Sequence, residues 1–118
     1  MNIVELKNYI LSNEFEVIVK EIYCSKSNED IADQRERYMK LVEKTSELYG
    51  DGDYHIISSP GRVEISGNHT DHQRGHVIAA SINIDNVCIV KKSDDMLSTI
   101  YDTKFLKNEV DINDLSIH

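Results

Sequence analysis

The densest chemistry in this sequence lies in one segment of seventeen residues, Ser59 to Gly75, which reads SPGRVEISGNHTDHQRG. Arg62 and Arg74 bring permanent positive charge, and a guanidinium presents fixed, forked donors that suit anionic oxygens. Asn68, His69, Thr70 and Asp71 put an amide, an imidazole, a hydroxyl and a carboxylate on four successive positions. Such a set can both donate to and accept from the hydroxyls of a small polar ligand. His72 and His76 add two more imidazoles, so the segment also contains residue types that hold metals. A loop with no function rarely carries this many polar groups between two apolar stretches.

Elements on both sides must hold that loop. The residues before it read as helices: Val4, Leu11, Phe15, Ile18 and Ile22 fall near helical spacing, with a break near Ser12. Asn13 with Glu16 resembles a capping box, and Ser27 with Asp30 marks a second start. Tyr38, Leu41, Val42, Thr45, Leu48 and Tyr49 then form one stripe that Gly50 to Gly52 should end. From Tyr54 the pattern shifts to short β-branched runs, 54–57, 63–65, 77–82, 87–90 and 97–101, with a tail from Asn108 that alternates like a further strand. The run 77–82 also fits a helical turn. Pro60 and Gly61 are expected to break the first strand and aim Arg62 away from it, and Asp85-Asn86 and Ser93–Asp95 to make turns. The predicted class is α+β, helices first and then a mostly antiparallel sheet, in one domain over 1–118.

With 118 residues, 40% hydrophobic and 29% charged, the chain falls within ordinary globular composition. Its formal net charge of -8, from 13 basic and 21 acidic residues, argues against a general nucleic-acid or anionic-membrane binder. No apolar run approaches the roughly 18 residues of a membrane span, and the start lacks the layout of a signal peptide, so a cytoplasmic protein is expected. Cys24 and Cys88 form no paired-cysteine motif and read as free thiols.

The string PGRVEISGNHTD at 60–71, followed by Gly75 and an apolar run to Ile82, resembles the first signature of the galactokinases, in the GHMP superfamily of small-molecule kinases. That signature usually reads PGRVNLIGEHTDYNGG. Pro60, Gly61, Arg62, Val63, Gly67, His69, Thr70, Asp71 and Gly75 match it without a gap. The resemblance covers roughly residues 54 to 102 and implies the first part of a kinase that moves the γ-phosphoryl group of ATP, with Mg2+, to a sugar hydroxyl. It further implies that Arg62 stabilises the transferred charge, while Asn68, His69, Thr70 and Asp71 hold the acceptor. The expected sugar is galactose or a related hexose.

The departures bear on substrate. Asn68 stands where the family has glutamate, Glu64 where it has asparagine, Ser66 where it has an apolar residue and His72 where it has tyrosine. An amide can donate where a carboxylate only accepts, so the preferred substituent on the sugar changes with it. None of the five glycines, at 50, 52, 61, 67 and 75, forms the Gly-Ser-rich loop that would cradle nucleotide phosphates. No nucleotide-binding residue is assigned, and the chain by itself is expected to be inactive. Two other readings stay open: a non-catalytic sugar-binding module of the same family, and a metal site built on Gly67-Asn68-His69. The second resembles binuclear metallophosphoesterases but lacks their upstream aspartate and histidine motifs.

Overall fold

Three helices come first: α1 (Ile3–Leu11), α2 (Asn13–Ile22) and α3 (Asn28–Tyr49). They belong to a computed structural model that describes residues 1–25, 27–67, 70–102 and 106–114. Ser12 both ends α1 and begins α2. Its N–H donates to the Tyr9 carbonyl at 3.0 Å, and its hydroxyl accepts from the Phe15 N–H at 3.2 Å. The break thus falls where the sequence predicts, but the cap is Ser12 and not Asn13. Only a residue with extended backbone, here φ -76° and ψ 164°, can fold its side chain back onto the first turn, and Asn13 is already helical. The capping box belongs to α1, where Asn2 and Glu5 exchange hydrogen bonds of 2.8 and 2.9 Å. Ser27 caps α3 as expected, accepting from the Asp30 N–H at 3.1 Å, and Gly50 at φ 67° ends it.

The helices join through residues spaced three, four or seven apart. Ile3, Leu6 and Ile10 of α1 meet Phe15 and Val19 of α2 and Ile31, Tyr38 and Val42 of α3. Phe15 sits edge-on between Tyr9 and Tyr38, with ring centroids 5.8 and 5.0 Å apart. Tyr54 closes the cluster from the sheet, and Ile56, Val87 and Ile89 pack against it.

The sheet is simpler than the sequence suggests. β1 (Tyr54–Ser66) and β2 (Ile78–Lys91) are two long antiparallel strands that between them take in the shorter runs 54–57, 63–65 and 87–90 and all of 77–82 except Val77. Pro60 and Gly61 do not break β1; the strand continues through them, and β2 bulges opposite, with Pro60 paired to Asp85 and Arg62 to Ser81. Nor do Asp85 and Asn86 turn. They lie within β2 because the Asp85 side chain, 2% exposed, is held by partners from α3, β1 and the end of α2, and tertiary burial overrides the local turn preference. The run 77–82 is strand from Ile78, not a helical turn.

β3 (Leu97–Asp102) and β4 (Leu106–Asp111) form a second two-stranded antiparallel sheet, close to the predicted runs. The whole is α+β, three helices followed by antiparallel strands in two small sheets. No helix among the described residues is long and apolar enough to cross a membrane. Cys24 and Cys88 are both free and exposed.

Candidate functional site

The loop that carries the candidate residues is the connection between β1 and β2. The Ser66–Ile78 pair closes it at one end, and its backbone folds around Thr70. The Thr70 hydroxyl donates to the Gly67 carbonyl at 2.8 Å, and the Thr70 carbonyl accepts from the N–H groups of Gln73 and Gly75, each at 2.9 Å. A short 3-10 turn, Asp71–Gln73, results.

Two glycines make this fold of the loop attainable. A Cβ on Gly75 would lie 2.1 Å from Thr70 Oγ1, and one on Gly67 would lie 2.6 Å from Val77 Cα, at a backbone φ of 116°. Neither approach leaves room for a side chain, which explains in physical terms why glycine stands at these two places. Arg74 adopts φ 62°, a conformation uncommon outside glycine and asparagine, as the chain turns back toward β2.

Of the predicted site residues, Arg62 is exposed on β1, four residues before the pair that closes the loop, or roughly 13 Å along the strand. Thr70 is half-buried in the loop, with its proton committed to Gly67 and its lone pairs left to accept. Asp71 begins the 3-10 turn. Asn68 and His69 lie outside the described residues. His72, Arg74 and His76 are exposed on the same loop. Among the described residues, no three His, Cys, Asp or Glu side chains come together as metal ligands.

Farther along the β1–β2 ladder from the loop lies a polar cluster that the sequence does not announce. Asp85 Oδ1 accepts from Arg37 Nη1 at 2.7 Å, and Oδ2 accepts from the Tyr23 hydroxyl at 2.6 Å and from Ser58. Arg37 Nη2 also donates to the Asp85 carbonyl at 3.0 Å. Because Tyr23 gives its one proton to Asp85, the 2.8 Å contact between Tyr23 and Tyr38 places Tyr38 as the donor. Burial opposes the charge on Asp85, yet the bonds from Ser58, Tyr23 and Arg37 outweigh it and hold the carboxyl below its usual range. Burial, and then the bond to Asp85, push the Tyr23 phenol well above its ordinary value. The only sequence signal was Asp85-Asn86, which points to a turn; the partners lie 62, 48 and 27 residues away.

Arg37 and Tyr23 thus anchor Asp85, the direct partner of Pro60, on the near side of the bulge that separates Pro60 from Arg62. The helices and the β1–β2 ladder are joined through Asp85.

Comparison with known proteins matches residues 46–92 to the galactokinase galactose-binding signature, which takes in the end of α3, β1, the loop and β2. The galactokinase of Streptococcus suis (strain 05ZYH33) is 38% identical over 79 residues, covering 64% of this chain and 20% of that protein. That of Lactococcus lactis subsp. lactis (strain IL1403) is 35% identical over 68 residues, 57% of this chain and 17% of that protein. The chain thus spans 20% or less of the length of these two relatives. No solved structure matches. Residues 46–92 of this chain are thus similar to the galactose-binding segment of the galactokinases.

Proposed function

We propose that this chain is the acceptor-binding part of a sugar kinase that transfers the γ-phosphoryl group of ATP to a sugar hydroxyl. The observation that carries the proposal is the signature over 46–92, centred on a loop whose two glycines and Thr70 fold it into one compact turn. In this reading Asn68, His69, Thr70 and Asp71 hold the sugar, with Asp71 accepting from neighbouring hydroxyls and Thr70 accepting through its free lone pairs. Arg62, fixed on a strand, stabilises charge on the transferred group.

ATP and Mg2+ belong to the longer kinase, and no residue of this chain is assigned to them. Phosphoryl transfer depends on holding nucleotide, metal and acceptor together, so the 118-residue chain alone is inactive in this account. The amide of Asn68, where the family has a carboxylate, favours an acceptor that can receive as well as give a hydrogen bond there, which puts amino and acylamino hexoses beside galactose.

The test is a hybrid in which residues 46–92 replace the matching segment of the Streptococcus suis galactokinase, assayed for sugar-dependent ATP consumption. Arg62→Ala and Asp71→Ala should each lower kcat/KM by about a hundredfold or more. An unchanged kcat/KM in both variants would refute a role for Arg62 and Asp71 in catalysis and acceptor binding. A hybrid that binds sugar but never turns over would favour the non-catalytic sugar-binding module.

A further inference from the structure

Arg62 stands on a short piece of the β1–β2 ladder. Its pairs, Arg62 with Ser81, Val63 with Ala80 and Glu64 with Ala79, lie between two breaks in register. On the loop side, Ile65 is an extra residue of β1, inserted before the pair of Ser66 with Ile78. On the other side, Gly61 alone carries β1 from Pro60 to Arg62, while β2 uses Ile82, Asn83 and Ile84 to pass from Ser81 to Asp85. A bulge bends its strand and adds local twist, so it sets the direction of the residues that follow. A segment of three pairs between two bulges therefore takes its direction from whatever holds them.

The bulge of β2 is held by β1, by α2 and by α3. Against β1 it closes on Gly61, where a Cβ would lie 3.0 Å from the Ile84 carbonyl oxygen and 3.1 Å from two carbons of the Ile82 side chain. Such a close backbone approach is a place where a strand takes glycine. Tyr23, at the end of α2, bonds to both limbs of the bulge. Its carbonyl accepts from Asn83 Nδ2 at 3.3 Å, and its hydroxyl donates to Asp85 Oδ2 at 2.6 Å. Arg37 of α3 adds a bond to the backbone itself: Nη2 donates at 3.0 Å to the Asp85 carbonyl, in a pair to which Pro60 brings no N–H. Tyr23 is buried with the residues of the helical core, so the bracket is anchored there.

We propose that Tyr23 and Asn83 are positioning residues for Arg62: through the β2 bulge opposite Gly61, the helical core sets the direction of the three-pair segment that carries the arginine. The proposal rests on the kinase reading, in which Arg62 meets a transferred group whose place is set by the sugar in the loop. A misplacement of about 1 Å can cost about a hundredfold in rate. A guanidinium that binds through a planar fork depends on direction as well as distance. Tyr23 and Asn83 touch neither sugar nor phosphoryl group; they act through the backbone of β2. The second bulge, at Ile65, lies between this segment and the loop, so a change at Asn83 alters the aim of Arg62 and leaves the sugar contacts in place.

Residual dipolar couplings of the backbone N–H groups, measured on the isotope-labelled 118-residue chain, report the orientation of residues 62–64 and 79–81 relative to 54–58 and 87–91. Asn83→Ala and Tyr23→Phe should each rotate the short segment against the longer one and leave the couplings within α1 and α3 unchanged. Asn83→Asp, which keeps the shape and loses the donor, should act like Asn83→Ala. Circular dichroism should show the helices retained in all three. In a hybrid in which residues 1–92 replace the matching part of the Streptococcus suis galactokinase, Asn83→Ala should lower kcat at least about tenfold with the sugar KM unchanged. Added to Arg62→Ala, it should cost nothing further, whereas a residue that only stabilised the fold would act additively. Couplings across the bulge that are unchanged in the variants would overturn the proposal, and so would full additivity with Arg62→Ala. Rotated couplings in the chain together with a hybrid that never turns over would uphold the bracket and count against the kinase reading.

Discussion

Gly75 shows how closely one residue can constrain the candidate site. A methyl group there would overlap Thr70 Oγ1 and approach the Thr70 carbonyl, which is the acceptor that closes the 3-10 turn. The clash is with a side chain and backbone already engaged in the loop's own hydrogen bonds, so relief requires opening the loop. Gly75→Ala is expected to destabilise the chain by about 2 kcal/mol, with amide shifts confined to residues 67–77. Gly50 is the internal comparison. Its φ of 67° is positive, unlike that of Gly75, but a Cβ there meets nothing within 4 Å, so Gly50→Ala should cost only about 1 kcal/mol. Thermal or urea melts of the two variants measure the difference, and equal losses would show that the Thr70 packing is not what holds the loop. Most of this was legible in sequence, where Gly67, Thr70 and Gly75 stand out by type and spacing. That Thr70 spends its proton on Gly67 was not, because a hydroxyl's partner is set by the fold of the loop.

Among the elements, Asp85 of β2 ties the end of α2, α3 and β1 together through Tyr23, Arg37 and Ser58. Its carboxyl titrates below the usual range in the folded chain and near 3.9 once unfolded. The stability it confers is therefore fully present above the unfolded value and is lost as pH falls through it toward the folded value. Asp85→Asn should cost about 2 kcal/mol at neutral pH, where bonds to a charged acceptor are lost. The variant's stability should also fall less steeply than the parent's between about pH 5 and pH 3. Parallel pH profiles from urea melts would show that Asp85 is not the group responsible. This cluster is also the reason the sequence misplaced the strand boundaries. Asp85-Asn86 and Pro60-Gly61 carry strong local turn preferences, and only contacts across 27 to 62 residues of chain hold them in paired strands. Helix ends, which depend on neighbours in sequence, were read to within a residue at Ser12, Ser27 and Gly50.

Across the whole molecule, burial is unevenly distributed among the described residues. The buried hydrophobic residues lie in and beside the helices and at Tyr54, whereas Leu97, Ile100, Tyr101 and Val110 of the β3–β4 sheet are exposed. A lone two-stranded sheet is marginal in water, so its amides should exchange with solvent orders of magnitude faster than those of Val19 and Val42. Comparable protection in β3 and α3 would mean that the second sheet is held by additional packing. The fold class and the signature loop could both be read from residue order, but the bulge of β2 opposite Gly61 could not. It emerges only when the two strands pair and their register shows three residues of β2 facing one of β1.

Sugar binding by the Gly67–Gly75 loop is tested most directly by titrating the isotope-labelled chain with galactose and amino hexoses, followed by nuclear magnetic resonance. Saturable shifts are expected in the amides of Gly67, Thr70, Gln73 and Gly75, absent from α1 and α2 and abolished by Asp71→Ala. Shifts elsewhere, or none in the loop with any sugar, would contradict it.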